Sequence, residues 1–179
     1  MGHFAVIEDG VVVGPGSVIE HHVVLRTGVR IGSNTRIGSH TSIGGEGFGF
    51  ERDDQGRPVR IGHMGGVVIG DDVEIGVHNS IPQGTIEPTR IHDHVKTDGC
   101  VHIAHNVSVG ENTLITAGAT ISGSVDIGRG VWISPEAAVI NGVSIGDHAV
   151  IGIGAVVIKD VEQDNVVAGV PAKPMVRKL

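Results

Sequence analysis

A period of six residues predicts an all-β chain wound as a left-handed parallel β-helix, and three observations support that fold. Counting in sixes from Ile7 meets Val13, Ile19, Leu25, Ile31, Ile37 and Ile43. After a break the count resumes at Ile69, Ile75 and Ile81. After a second break it runs from Ile91 through Thr97, Ile103, Val109, Ile115, Ile121, Ile127, Ile133, Val139, Ile145 and Ile151 to Val157, so that 21 of the 22 positions are aliphatic. The second observation is composition: 29 glycines stand against one tryptophan, three phenylalanines and no tyrosine. Val and Ile must therefore supply the burial that aromatics usually provide. The third is that a six-residue period fits neither an amphipathic helix nor an alternating strand, whereas a short fixed repeat is the mark of a solenoid.

Each hexapeptide forms one flat face of a three-sided prism, and three successive hexapeptides make one coil. The aliphatic residue points inward. Two positions earlier lies a second small or β-branched residue, as at Val95, Val101, Val107, Thr113, Ala119, Val125, Val131 and Ala137. Gly, Asn and Asp suit the corners, where left-handed backbone angles are needed. Coils stacked about 4.8 Å apart pair every interior strand above and below. A prism this narrow has no room for aromatic rings.

The expected organisation is a single β-helix domain over 1–179, with coils at about 5–44 and 67–157. Residues 45–66, polar and rich in glycine, read as a loop leaving the prism, and it holds Phe48 and Phe50. The stretch "PQGTIEP" at 82–88 reads as a bulged corner, and 158–179 as an extended C-terminal tail.

The formal net charge of −7 argues against a nucleic-acid partner, which would need a basic stripe. No apolar run approaches the roughly 18 residues needed for a membrane span. The opening "MGHFAVIEDG" lacks the pattern of a secretory signal. Cys100 is the single cysteine and can form no internal disulfide, so the expected compartment is the cytoplasm, with Cys100 a small, partly buried residue.

Eleven histidines are present, and two share the stretch "VHIAHNVSVG" at 101–110. His22, His40, His78, His94 and His148 each fall three residues after an aliphatic step, and so at corners, as solvated turn residues. His105 falls two after its step, outside that set. Histidine suits a general base because its pKa lies near neutrality. Residues one full coil apart stack on one face, which puts Gly123 one coil beyond His105 and Asn141 one beyond that. A glycine N–H about 5 Å along the axis from the base could meet a thioester oxygen.

The segments "GEGFGF" (45–50), "VVIGDDVEIG" (67–76), "VHIAHNVSVG" (101–110) and "ISGSVDIG" (121–128) resemble the hexapeptide-repeat acyltransferases. They are most similar to the UDP-3-O-acylglucosamine N-acyltransferases of lipid A synthesis, without the uridine-binding domain that precedes the coils there. The ending "VVAGVPAKPMVRKL" is similar to acetyl-CoA-dependent enzymes, including the nucleotide-amino-sugar N-acetyltransferases. The family's Gln before "IAHN" is His102 here, and a second family histidine has no counterpart in "INGVSIGD".

The resemblance implies an N-acyltransferase with His105 as base and the backbone amide of Ser122-Gly123 as oxyanion donor. Phe48, Gly49, Phe50, His102 and Asn106 would face the substrate, a nucleotide-linked amino sugar. Asn141 and Gly142 would face the acyl donor, with Lys173 and Arg177 near its phosphates. The expected co-substrate is acetyl-CoA or another acyl-CoA, with no resident cofactor or metal, and the expected assembly is a homotrimer. The alternative keeps the lipid A-type acceptor and takes the acyl chain from acyl carrier protein. A γ-carbonic anhydrase would need a histidine pair five residues apart, which this sequence lacks, and a non-catalytic scaffold would leave the "GFGF" and "IAHN" segments unexplained.

Overall fold

Each hexapeptide contributes a strand of only two or three residues, and the strands line up across coils rather than along the chain. A computed structural model describes residues 1–175, which form three sheets of eight, seven and nine strands, parallel except at the last strand of the third, plus one separate hairpin. The sheets are the three faces of a left-handed parallel β-helix. Register follows the repeat: His102 pairs with Thr120 and Thr120 with Ala138, while Ile103 pairs with Ile121 and Ile121 with Val139, each one coil on. The aliphatic steps thus stack into continuous inner rows. Leu25, Ile37, Ile75, Ile103, Ile115, Ile121, Ile127 and Ile133 are all buried. So is the second row, including Val95, Val107, Ala119 and Val131. At roughly 1.5–3 kcal/mol per buried aliphatic side chain, these rows dominate the folding energy. Every Phe and Trp points outward: Phe4, Phe48, Phe50 and Trp132 are exposed.

Thr97, the single polar step, is satisfied inside the prism. Its Oγ1 donates to Asn79 Oδ1 (2.9 Å) and accepts from the Gly76 N–H (3.1 Å). Asn79, itself buried, gives its amide hydrogens to the carbonyls of Val77 and Asp98. A buried polar pair is tolerated because its groups are hydrogen-bonded.

The corners carry positive φ, as at His22, His40, His78, His94, His148, Asn34, Asn106 and Asn112. His and Asn are among the non-glycine residues that accept this region most readily. Stacking in register adds contact between coils: Phe4, His22, His40 and His78 form a column with ring centroids 5.2, 4.7 and 4.9 Å apart. Cys100 continues that column at φ 60° and is exposed, not partly buried as its apolar character suggested, because a corner residue with positive φ projects away from the interior.

Two insertions interrupt the coils. The first lengthens one coil, so that Ile43 finds its partner in Ile81 across the whole inserted segment. It leaves the prism as an antiparallel hairpin, Phe50–Arg52 against Pro58–Arg60. The second, around 82–88, packs against the returning limb of the first: Gly65 N–H donates to Gly84 O (2.8 Å) and Met64 N–H to Thr85 O (2.9 Å). The C-terminal segment departs from the extended tail that the sequence suggested. Val161 bridges to Ile145 and Val167 pairs with Ile151, both at less than the regular coil spacing, and Val166–Ala168 joins the third face. The chain then folds back, with Lys173–Pro174 antiparallel to it. Because this coil is shortened, a step of six from Val157 lands on Gln163 and misses the buried Val161 and Val167.

Candidate active site

Both insertions gather beside one corner, the one that follows the first face. Between them and the prism lies a groove of about 830 Å³. Its floor is the outward-facing column Ser42, Ser80, His102 and Thr120, brought into register by strand pairing. Glu46, Gly47 and Phe48 form one wall, and Ser122, Gly123 and Asn141 continue the corner.

His105 sits at the centre. Asn106, at φ 60°, follows it in the turn and is held by the second insertion: its Oδ1 accepts the Thr85 N–H (2.7 Å) and its Nδ2 donates to Thr85 Oγ1 (2.9 Å). A backbone N–H can only donate, which fixes the orientation of the amide. The Asn106 amide nitrogen therefore points at His105 Nδ1, 3.2 Å away. This contact occupies Nδ1, and Nε2 is the ring nitrogen beside Gly123 and the groove. Burial holds the His105 pKa below the ordinary histidine value, the neighbouring His63 adds to this, and a backbone hydrogen bond at Phe48 opposes both. His102 is lowered chiefly by burial, with His105 adding and a backbone hydrogen bond at Ser80 opposing. Both rings are thereby favoured in the neutral form.

Gly123 lies against the same ring. A Cβ there would sit 2.7 Å from His105 Cε1 and 2.8 Å from Nε2, so only glycine allows this approach. Its N–H makes no hydrogen bond among the described residues. At six other corners the amide at this position, two residues after the step, is taken by a carboxylate. Thr27 donates to Glu8, Ser33 and Asp71 to aspartates, Ser39 to Glu20, Gly99 to Asp98 and Arg129 to Asp147. The corner amide is thus an anion-binding position, and at Gly123 it is open to the groove.

Of the residues read from the sequence, the groove brings together His102, His105, Gly123, Phe48 and Asn141, with Asn106 behind His105. Phe48 is 87% exposed. Phe50 and Gly49 do not line the groove. Phe50 packs edge-on to Phe48 and beneath Arg60, while Gly49 makes room for His63. Gly142 follows Asn141 in the corner and donates to Gly123 O (3.0 Å). Lys173 is exposed on the folded-back segment and does not line the groove, and Arg177 lies outside the described residues. Two groups escaped the sequence reading, Glu46 and His63, whose Nδ1 lies 3.1 Å from Glu46 Oε2. The hint available was that the glycine-rich loop holds a carboxylate and an imidazole beside its phenylalanines. Among the described residues no group of three or more His, Cys, Asp or Glu is arranged to hold a metal ion, and no helix is long and apolar enough to cross a membrane.

Residues 88–123, which include His105 and Gly123, match the family described as bacterial transferase hexapeptide (six repeats). The chain is a hexapeptide-repeat β-helix. It is 37% identical over 141 residues to a UDP-3-O-acylglucosamine N-acyltransferase of Pseudomonas syringae, covering 69% of this chain and 40% of that protein. Against the Coxiella burnetii protein of the same name it is 37% identical over 142 residues, covering 69% and 42%. This hexapeptide-repeat chain thus spans about two fifths of the length of these relatives. Among solved structures, LpxA from Acinetobacter baumannii superposes with a TM-score of 0.87 at 27% identity, over 97% of this chain and 66% of that one.

Proposed function

We propose that the chain is an N-acyltransferase that moves an acyl group from a thioester to the amine of a nucleotide-linked amino sugar, in lipid A-type or related envelope synthesis. One observation carries this reading: an imidazole favoured in its neutral form shares a groove with an unpaired corner amide. The amine attacks the thioester carbonyl, and His105 takes the amine proton as the C–N bond forms. The carbonyl oxygen becomes an oxyanion and accepts from the Gly123 N–H. Collapse breaks the C–S bond, and the imidazolium returns its proton to the departing thiolate. Amide and thiol are the products.

The relatives named UDP-3-O-acylglucosamine N-acyltransferase support a UDP-linked, 3-O-acylated glucosamine as acceptor. As donor we take the alternative implied by the sequence resemblance, a long acyl chain on a carrier protein, ahead of acetyl-CoA. Lys173, expected near the phosphates of a CoA donor, stands apart from the groove. The proposed assembly is a homotrimer in which a neighbour closes the open side of the groove, and the proposed place of action is the cytoplasm.

Mass spectrometry of products tests the reading. A panel of UDP- and dTDP-linked amino sugars is offered acetyl-CoA, longer acyl-CoAs and acyl carrier protein thioesters. An N-acylated UDP-glucosamine derivative formed from a long acyl thioester is the expected product. Acetylated product alone would return the donor to acetyl-CoA, and no N-acylated product from any pair would refute the function. Light scattering on the same sample tests the trimer, and a monomeric mass with activity retained would exclude it.

A further inference from the structure

We propose that His63, locked in place by Glu46, is a positioning residue for His105; this rests on the reading of His105 as the base. His63 lies in the returning limb of the first insertion, and its side chain is only 1% exposed. It is tied at every polar atom but one. Its N–H donates to Glu46 Oε2 (3.1 Å), and its carbonyl accepts from Gln83 Nε2 (2.7 Å). Its Nδ1 faces Glu46 Oε2 at 3.1 Å and the Ile61 carbonyl at 3.0 Å. Both neighbours are acceptors, so Nδ1 carries a proton and the tautomer of the neutral ring is fixed. Nε2 is then an acceptor, and it is buried without a partner. A buried polar atom left unpaired is uncommon and calls for a reason.

The reason lies in what the ring is pressed against. The His63 and His105 rings meet edge to face, with centroids 5.0 Å apart and planes at 71°. They meet over Gly47, where a Cβ would fall 2.8 Å from His63 Nε2 and 2.9 Å from both Cβ and Cδ2 of His105. A Cβ on Gly49 would fall 2.7 Å from His63 Cε1. The two glycines that flank Phe48 therefore clear the seat for the His63 ring. His105 is held on three sides: by the His63 ring, by Asn106 at Nδ1, and by Gly123 at Cε1 and Nε2. A phenyl ring could fill the same volume, but only an imidazole can also anchor to Glu46 and Ile61.

The test combines two readouts, one of which needs no substrate. In the free protein, NMR of the His105 Cε1–H follows its titration in wild type, His63→Phe and Glu46→Gln. The titratable or charged groups facing His105 are His102 from the strand, His63 and Glu46 from the loop, and Arg26 from the neighbouring corner. His63→Phe removes the neighbour that holds the His105 pKa down and frees Glu46 from it, so His105 should protonate at higher pH. Glu46→Gln keeps an acceptor but loses the charge, and should shift the His105 resonance by freeing the His63 ring. In turnover, His63→Phe should lower kcat by about 10–100-fold, the effect of misplacing a reacting group by about an ångström, with KM within about twofold.

A His105 titration and resonance matching wild type in both variants, each folded by circular dichroism, would overturn the proposal. Should His63→Phe fail to fold, an unchanged His105 resonance in Glu46→Gln would overturn it alone. Displaced resonances in a protein whose wild type acylates no amine would refute the function and leave the positioning contact standing.

Discussion

Gly123→Ala separates the geometry of the site from the stability of the prism. Gly123 is not among the glycines with positive φ, so alanine meets no backbone strain there. The added methyl would lie 2.7 Å from His105 Cε1, 2.8 Å from Nε2 and 3.3 Å from Nδ1. Carbon contacts settle at about 3.5–4.0 Å, so the ring or the corner must give by about 0.8 Å or more. The His105 ring borders the open groove and yields more easily than the hydrogen-bonded corner. The stability loss should therefore lie near the low end of overpacking, about 1 kcal/mol. Turnover should suffer far more, since a displacement of this size at a reacting group lowers kcat by about 10²-fold. The control is Gly154→Ala, at a different corner, with φ 61° and nothing within 4 Å of the added methyl. It should lose about 1–2 kcal/mol from the left-handed backbone and keep its kcat. The assay is thioester consumption under saturating acceptor, beside thermal melting of both variants. A Gly123→Ala protein with kcat within a few-fold of wild type would refute the contact between this corner and the base.

His105→Ala should keep the fold and lower kcat by about 10²–10⁴-fold, and in the wild type kcat should fall on acidification as His105 protonates. Because burial depresses its pKa, that limb should lie below the ordinary value of 6.5; a limb above it in the pH profile would contradict the burial argument. The same depression at His102 and His105 makes the fold fully stable above 6.5 and progressively less so as pH falls through their folded values, measurable by urea midpoints. Asn106→Asp puts a carboxylate where the amide nitrogen lay 3.2 Å from Nδ1, and should raise the His105 pKa as seen by NMR titration; no rise would mean that the contact does not form. Thr97→Val leaves Asn79 Oδ1 and the Gly76 N–H without their partner and should lose about 1–3 kcal/mol in thermal or urea unfolding, against near-neutrality if water fills the gap. Phe48→Ala should raise a substrate KM by about 10-fold and leave the proposed trimer intact; an unchanged KM beside a weakened association of subunits would assign the ring to subunit packing.

What could be read from the sequence follows from what repeats. The prism admits one kind of residue at each inner step, so Ile103, Ile121 and Val139 announce their own register, and with it the stacking of His105 under Gly123. The insertions obey no period. His63 and His105 touch although they lie far apart along the chain, and no spacing rule connects them. The hairpin Phe50–Arg52 with Pro58–Arg60 was hidden because its strands are exposed on both faces and so show no apolar alternation. The last coil was missed for the opposite reason. Its inner valines are present, but the shortened coil moves them off the count, and Gln163 stands where the step falls.

The division of labour within the chain follows from the same geometry. Nearly all apolar burial lies inside the prism, in rows that no groove residue joins. The site is assembled from outward positions of one face, one corner and two insertions, none of which the inner rows require. Corner amides two residues after the step are ready-made anion sites, and six of them are occupied by the chain's own carboxylates. At Gly123 the amide carries no carboxylate and a half-buried histidine stands beside it, an arrangement made without altering the core. The insertions that hold Phe48, Glu46 and His63 can then vary, while the regular coil keeps His105 and the Gly123 N–H at a fixed separation.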